Sequence, residues 1–294
     1  MSDFRASIDA DVTLANGGSL QVRGYPLDVP GSDTTEQRLT ELLAAALRLG
    51  PDDRVHLPAG AGAGSSGPGR RAEAPSRLVD LSHVISEGMV TFPGLPGPVI
   101  SPHLTREASR DHYEPGTEFA IDRISMVGNT GTYLDSPFHR YADGADLAGL
   151  PLESVADLPV VVVSGPPDGE RGFDAAAFDT VDVAGAAVLL RTGWDRHFGT
   201  EDYARDAPYL TGEGARALAG AGAALVGIDS VNIDDMSGSA RPAHSILLDA
   251  GVPVLEHLTR LDLLPACGAR LHAAAPRVRG FGTFPVRAYA VVPA

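Results

Sequence analysis

The densest run of chemically useful side chains is Gly128-Asn129-Thr130-Gly131-Thr132-Tyr133-Leu134-Asp135-Ser136-Pro137-Phe138-His139-Arg140-Tyr141. Tyr133, Asp135 and His139 supply a hydroxyl donor, a carboxylate and a group that titrates near neutrality. The two glycines allow turns where a side chain would clash. Pro137 fixes its own φ and drives Ser136 toward an extended backbone. Asn129, Tyr133, Asp135 and His139 can then converge from one short stretch. A set of this kind suits proton transfer at a small-molecule centre. The same side chains also suit a polar loop that satisfies its own backbone, and residue types alone leave both readings open.

The elements that would position such a cluster alternate. Strand-like segments are Val160–Ser164, Ala187–Arg191, Ala224–Asp229, Val252–Glu256 and Val286–Val292. Helix-like segments are Asp174–Phe178, Gly212–Ala219 and Pro242–Ala250, the last closed by Gly251. Strands alternating with short helices predict an α/β domain. Polar residues gather where strands end, at Arg191-Thr192-Gly193-Trp194 and Gly227-Ile228-Asp229-Ser230, which is where open α/β sheets place ligands. Arg191 has the geometry to grip a substrate carboxylate, or to form a structural ion pair. Trp194 fits either an apolar substrate pocket or the core. Asp229 and Ser230 fit either a site wall or a turn.

The first 59 residues read as a separate small α+β unit. Ile8, Ala10, Val12 and Leu14 alternate with polar residues, Asn16-Gly17-Gly18 supplies a turn, and Leu20 and Val22 resume the alternation. Thr34 to Gly50 predicts a helix, with Thr34 and Gln37 at capping-box spacing. Arg54 to Pro58 is a third candidate strand. Residues 60–76 are dominated by Gly, Ala, Ser and Pro and predict a flexible linker. The main domain runs from 77 to 294.

The chain has 294 residues, 23 basic and 38 acidic side chains and a formal net charge of −15. Nucleic acid and anionic membranes are bound by excess Lys and Arg, so neither is an expected partner. No apolar run reaches the roughly 18 residues that span a bilayer, and Met1 to Ser7 lack a signal-peptide core; a cytoplasmic protein acting on a small molecule is expected. The single cysteine, Cys267, excludes an internal disulfide and is expected as a small buried apolar residue.

Asn129-Thr130-Gly131-Thr132-Tyr133-Leu134-Asp135-Ser136-Pro137-Phe138-His139 resembles the signature of the cyclase family, which includes bacterial kynurenine formamidase and isatin hydrolase: His-x-Gly-Thr-His-x-Asp-x-Pro-x-His. Gly131, Thr132, Asp135, Pro137 and His139 match in register; Asn129 and Tyr133 stand where the family has histidine. Leu78-Val79-Asp80-Leu81-Ser82, Ile85-Ser86-Glu87-Gly88-Met89, Asp143-Gly144, Leu150-Pro151-Leu152-Glu153, Ala243-His244-Ser245-Ile246-Leu247-Leu248 and Gly251-Val252-Pro253-Val254-Leu255-Glu256 extend the likeness over residues 77–294.

The resemblance implies a swivelling β/β/α fold, a homodimer or larger oligomer, and metal-dependent hydrolysis of an amide, lactam or lactone. Carried over singly, Asp135 matches a bridging carboxylate, His244 and Glu256 the later metal ligands, and His139 the acid–base group. An amide oxygen is a weak ligand and a phenol must first lose its proton, so Asn129 and Tyr133 should abolish or badly weaken one metal position. Three readings follow. Asp135, His244 and Glu256 hold one zinc or manganese ion in a hydrolase. Alternatively no metal binds, and Asp135, Glu256, His139 and Tyr133 perform acid–base cyclisation, dehydration or isomerisation, with Tyr133 donating to an oxyanion. The third is a ligand-binding protein without turnover. Asn129, Arg191, Trp194 and Ser230 are candidate substrate contacts. His83, His103 and His112 fit surface positions better than ligand positions. His257, following Glu256 on a strand, should face away from it.

Overall fold

The computed structural model describes residues 4–13, 15, 19–29, 34–47, 49–51, 53–57, 76–166 and 170–293. The expected turn at 16–18 and most of the expected linker lie outside them. The chain divides into two compact units, Met1–Ala74 and Pro75–Ala294.

In the first unit β1 (Phe4–Thr13) pairs antiparallel with β2 (Ser19–Val29) and with β3 (Arg54–His56). Helix α1 (Glu36–Ala46) adds Leu39 and Leu43 to a core with Ile8, Ala10, Val12, Val22, Leu27 and Val29. Its N-cap is one residue later than the capping-box spacing suggested: the Thr35 hydroxyl accepts from Arg38 N.

The second unit contains β4 (Ser76–Asp80), β5 (Val99–Leu104), α2 (Arg106–Ser109), β6 (Ile121–Ser125), β7 (Tyr133–Asp135), β8 (Ala156–Ser164), β9 (Gly172–Phe173), β10 (Ala187–Arg191), β11 (Tyr209–Leu210), α3 (Gly212–Gly220), β12 (Leu225–Ile228), α4 (Pro242–Asp249), β13 (Val254–Glu256), β14 (Cys267–His272), β15 (Thr283–Pro285) and β16 (Tyr289–Pro293). Nine strands form one mixed sheet in the order β15-β7-β13-β12-β10-β8-β14-β16-β4, curled into a half-barrel. Its centre, β8-β10-β12-β13, is parallel, which explains the unbroken apolar runs there: both faces are covered. Leu189, Leu225, Leu255 and Leu134 face a core closed by the curl, with Leu271 and Ala290. Val188, Leu190, Val226 and Val254 face the other way, against Ala215 and Leu218 of α3 and Leu247 and Leu248 of α4.

The expected helix at 174–178 is a 3-10 turn, Ala175–Phe178. The expected last strand, Val286–Val292, is β16 alone and begins only at Tyr289; β15 is a further strand that ends before it, at Pro285. Cys267 is exposed, contrary to expectation. It opens β14, where the register against β8 shifts between Cys267 and Arg270, and the inward positions fall to Ala269 and Leu271.

A smaller aromatic cluster lies beside the sheet. Trp194 packs with Tyr203, Val231, Phe92, Phe198 and Met236, and its indole N–H donates to the Tyr203 carbonyl at 2.8 Å; this is the core role. His83 stacks on Phe198 with centroids 3.6 Å apart. His103 and His112 are exposed as expected, but the Nε2 of His83 is buried without a partner. Burial lowers its pKa to about 4, with Asp195 opposing and Arg260 adding to the fall. The unfolded chain therefore binds a proton at His83 that the folded chain refuses between pH 6.5 and about 4. Stability is fully present above pH 6.5 and declines as pH drops through that window, by on the order of 1–2 kcal/mol after allowing for partial exposure. Denaturant titrations across it should show a flatter pH dependence for His83→Phe than for wild type; identical slopes would remove His83 from the acid response.

Candidate active site

The pairing of β7 between β13 and β15 builds the site. Glu256 lies opposite Tyr133, and Thr283 opposite Asp135. Side chains alternate across a strand, so Tyr133, Asp135, Glu256 and Thr283 share one face while Leu134 and Leu255 enter the core behind. Asp135 is fully buried. The Thr283 hydroxyl donates to its Oδ1.

Next along the chain, Pro137–His139 forms a 3-10 turn that brings His139 back over Asp135, with Nδ1 3.6 Å from Oδ1. The Thr283 Oγ1 lies 2.7 Å from the same Nδ1. Thr283 has spent its one proton on Asp135, so it accepts from His139 Nδ1–H. In the neutral ring Nε2 of His139 is then the acceptor nitrogen, on a residue that is about a third exposed. The turn fits because residue 282 has no side chain: a Cβ on Gly282 would lie 2.5 Å from the His139 backbone.

His244 comes from the first turn of α4. Asp234 caps that helix, accepting from Ala243 N at 2.6 Å and His244 N at 3.1 Å. Its Oδ2 also takes the His244 Nδ1–H at 2.7 Å. This leaves His244 Nε2 facing Asp135 Oδ2 at 3.5 Å and Glu256 Oε1 at 3.6 Å. Burial disfavours charge on His244, but Glu256, Asp135 and Asp234 outweigh it and raise its pKa to about 10. Burial pushes the Glu256 carboxyl upward, with His244 pulling back.

The phenol of Tyr133 is buried and gives its proton to Glu256 Oε2 at 2.7 Å. Burial, Glu256 and Asp135 push its pKa up, and the half-buried Asn129 side chain opposes that rise. His257 does not face away from Glu256. The strand ends at Glu256, and a left-handed backbone at His257 (φ 55°) swings the ring back, placing Nε2 3.3 Å from the Tyr133 hydroxyl. Tyr133 therefore has no free proton for an oxyanion, and the expected donor role is corrected to a hydrogen bond that holds Glu256.

The other predicted contacts lie elsewhere. Arg191 lines a cavity of about 530 Å³ at the ends of β8 and β10, with Ser164, Thr192, Asp195 and Asp262; no ion pair or side-chain hydrogen bond involves it among the described residues. Asp229 accepts from Thr192 N, Thr192 Oγ1 and Gly193 N, a turn-fixing role. Ser230 is buried with an unpartnered hydroxyl. Sequence reasoning missed Asp234, Thr283, His257 and Tyr203. Asp234 is the first of two adjacent acids, Asp234-Asp235, which does not single it out, and Thr283 carries no local signal at all.

Several atoms here suit a divalent cation. Asp135 Oδ2 is buried without a hydrogen-bond partner. Asp135, His139 and His244 each bring a ligand atom within 4.8 Å of the others. Metal–ligand bonds of roughly 2.1 Å in a tetrahedron imply ligand–ligand edges of about 3.4 Å, close to the two distances from His244 Nε2. Its other nitrogen is oriented by a carboxylate, the usual outer partner of a ligating histidine. The donor set fits.

Comparison with known proteins places this geometry. Residues 79–235 match the family model Cyclase, described as "Putative cyclase". The kynurenine formamidase of Salinibacter ruber is 30% identical over 213 residues, covering 72% of this chain and 95% of the relative. That of Bacillus cytotoxicus is 27% identical over 192 residues, 62% of this chain and 82% of the relative. Among solved structures, isatin hydrolase A from Labrenzia aggregata superposes with a TM-score of 0.62 at 25% identity, covering 74% of this chain and 94% of that one. A family match over more than half the chain, together with the Salinibacter relative, makes this chain a member of the cyclase family.

Proposed function

We propose that this chain hydrolyses the C–N bond of a small formamide- or lactam-type amide, with one divalent metal, zinc or manganese, held by Asp135, His244 and Glu256. The observation that carries this reading is the buried, unpartnered Asp135 Oδ2 facing His244 Nε2. Both similar relatives are formamidases by name, which supports the amide class. When bound, such an ion polarises a carbonyl and acidifies water.

The protein's own residues supply the rest. His139 Nε2 takes a proton from the attacking water as the new C–O bond forms. It returns that proton to the leaving nitrogen as the C–N bond breaks. Thr283 and Asp135 hold the ring in the tautomer this requires. His139 ligation through Nδ1 would cost the Thr283 hydrogen bond, so it is assigned the proton work and Glu256 the third ligand position.

Acid–base catalysis without a metal is the second reading. One observation favours it: His244 lies among three carboxylates, 2.7 Å from Asp234, 3.5 Å from Asp135 and 3.6 Å from Glu256, which can compensate one another without an ion. Metal content separates the two. Protein incubated with zinc or manganese should hold about one ion per chain; Asp135→Asn and His244→Ala should lose it, and His139→Ala should keep it. No tightly held ion in wild type would overturn the metal reading. With an N-formyl arylamine as probe, His139→Ala should lower kcat by roughly 10²–10⁴, and Thr283→Val by roughly 10–100. An undiminished kcat in His139→Ala would remove it as the base.

The molecule is further proposed to be a cytoplasmic homodimer. Among the described residues no helix is long and apolar enough to cross a membrane. Strands β5 and β6 form a separate two-stranded sheet, with Val99, Ile100, Phe119, Ile121 and Ile124 exposed. An isolated two-stranded sheet is marginal in water, and the exposed, directly paired Ile100 and Ile124 offer apolar surface to a partner. Sedimentation equilibrium should return a dimer or larger, and Ile100→Lys with Ile124→Lys a monomer. A monomeric wild type would overturn this assignment.

A further inference from the structure

Three buried side chains that the proposed chemistry leaves unused, Tyr203, His257 and Tyr133, form a hydrogen-bonded series that ends on Glu256. Tyr203 Oη lies 2.9 Å from His257 Nδ1, His257 Nε2 lies 3.3 Å from Tyr133 Oη, and Tyr133 Oη lies 2.7 Å from Glu256 Oε2. The sense of every bond follows from the Glu256 end. Its Oε1 takes the Ile233 N–H at 2.6 Å, and its Oε2 takes the one proton of Tyr133. Tyr133 can then only accept from His257, whose hydrogen must be on Nε2. Nδ1 is left as an acceptor, and Tyr203 donates to it. A single neutral tautomer of His257 satisfies all four groups.

This series orients and does not conduct. Moving protons along it toward Glu256 would leave a phenolate at Tyr203, inside an aromatic cluster with Phe198 and Trp194, where burial already opposes its ionisation. The backbone is committed to the arrangement as well. His257 is one of four non-glycine residues at positive φ among those described, a conformation that costs energy and persists where its surroundings over-determine it. Here the Thr132 hydroxyl donates to the His257 carbonyl at 2.6 Å, and Leu258 N donates to the Ile228 carbonyl at 3.0 Å.

We propose that His257 and Tyr203 are positioning residues: acting through Tyr133, they hold the Glu256 carboxylate in the one orientation that presents Oε1 to His244, and so set the affinity of the Asp135–His244–Glu256 site for its cation. The affinity part rests on the metal reading above; the hydrogen-bond order does not.

The test uses the full chain. Nitrogen-15 NMR of the histidine rings should show His257 as the neutral Nε2–H tautomer at neutral pH. The Tyr133 hydroxyl proton should exchange slowly in wild type and rapidly in His257→Leu. Zinc affinity, measured by competition with a chromophoric chelator, should fall roughly 10–100-fold in His257→Leu. It should fall less in Tyr203→Phe, which keeps the ring and loses one hydrogen bond. His257→Gln, whose side-chain N–H can still reach Tyr133, should recover most of the loss. An Nδ1–H or charged His257 overturns the proposal, as does zinc affinity unchanged in both His257→Leu and Tyr203→Phe. Should His257→Leu fail to fold, Tyr203→Phe and the tautomer decide. If wild type binds no zinc, the metal reading falls, and the tautomer and hydroxyl exchange alone decide the order of the series.

Discussion

The fold is organised around one buried charge. Asp135 sits on β7, between β15 and β13, with no exposed surface, where an isolated carboxylate would cost several kcal/mol or take up a proton. Its surroundings answer that cost atom by atom. Thr283 donates to Oδ1 from the neighbouring strand, His139 approaches the same oxygen, and His244 faces Oδ2. Those partners come from β15, a 3-10 turn and α4. Each depends on a further constraint: the bare Cα of Gly282 beneath His139, and Asp234 capping α4 while orienting its histidine. The proposed site and the specificity of the fold rest here on the same set of hydrogen bonds.

Much of the scaffold was legible. The parallel strands read as apolar runs because both faces are covered, and β10 (Ala187–Arg191) fell on its expected limits. Helices α3 and α4 were read at Gly212–Ala219 and Pro242–Ala250, the latter closed by Gly251. The strands that build the site were harder. β7 is three residues long and consists of a tyrosine, a leucine and an aspartate, so no alternation could separate it from a loop. β14 carries Gly268 and Arg270 and a register shift, features that erase the strand pattern.

The candidate site was legible where it is local and illegible where it is not. Asp135, His139, His244 and Glu256 stand in motifs that resemble a family signature. Thr283 reaches Asp135 across 148 positions of sequence and Asp234 reaches His244 across ten; neither has a local mark. His257 illustrates a failure of a sound rule. Strand alternation sends it away from Glu256, and the rule holds only while the strand continues. A left-handed residue at the strand end reverses the outcome, and a histidine has no intrinsic preference that would announce it.

Asn129 and Tyr133 bear on how a hydrolytic scaffold tolerates the loss of two imidazoles. A phenol cannot replace a neutral ring nitrogen as a ligand without ionising, and burial beside Glu256 and Asp135 raises its pKa well above the ordinary value. The tyrosine is therefore locked in its protonated form, where its only proton serves Glu256. That bond converts a position suited to holding charge into one that fixes the orientation of a charge two strands away from His139. The hydroxyl donates to Glu256 Oε2 and lies 3.3 Å from His257 Nε2. Within the cluster, Asp135 Oδ2 is left without a hydrogen-bond partner among the described residues, facing His244 Nε2.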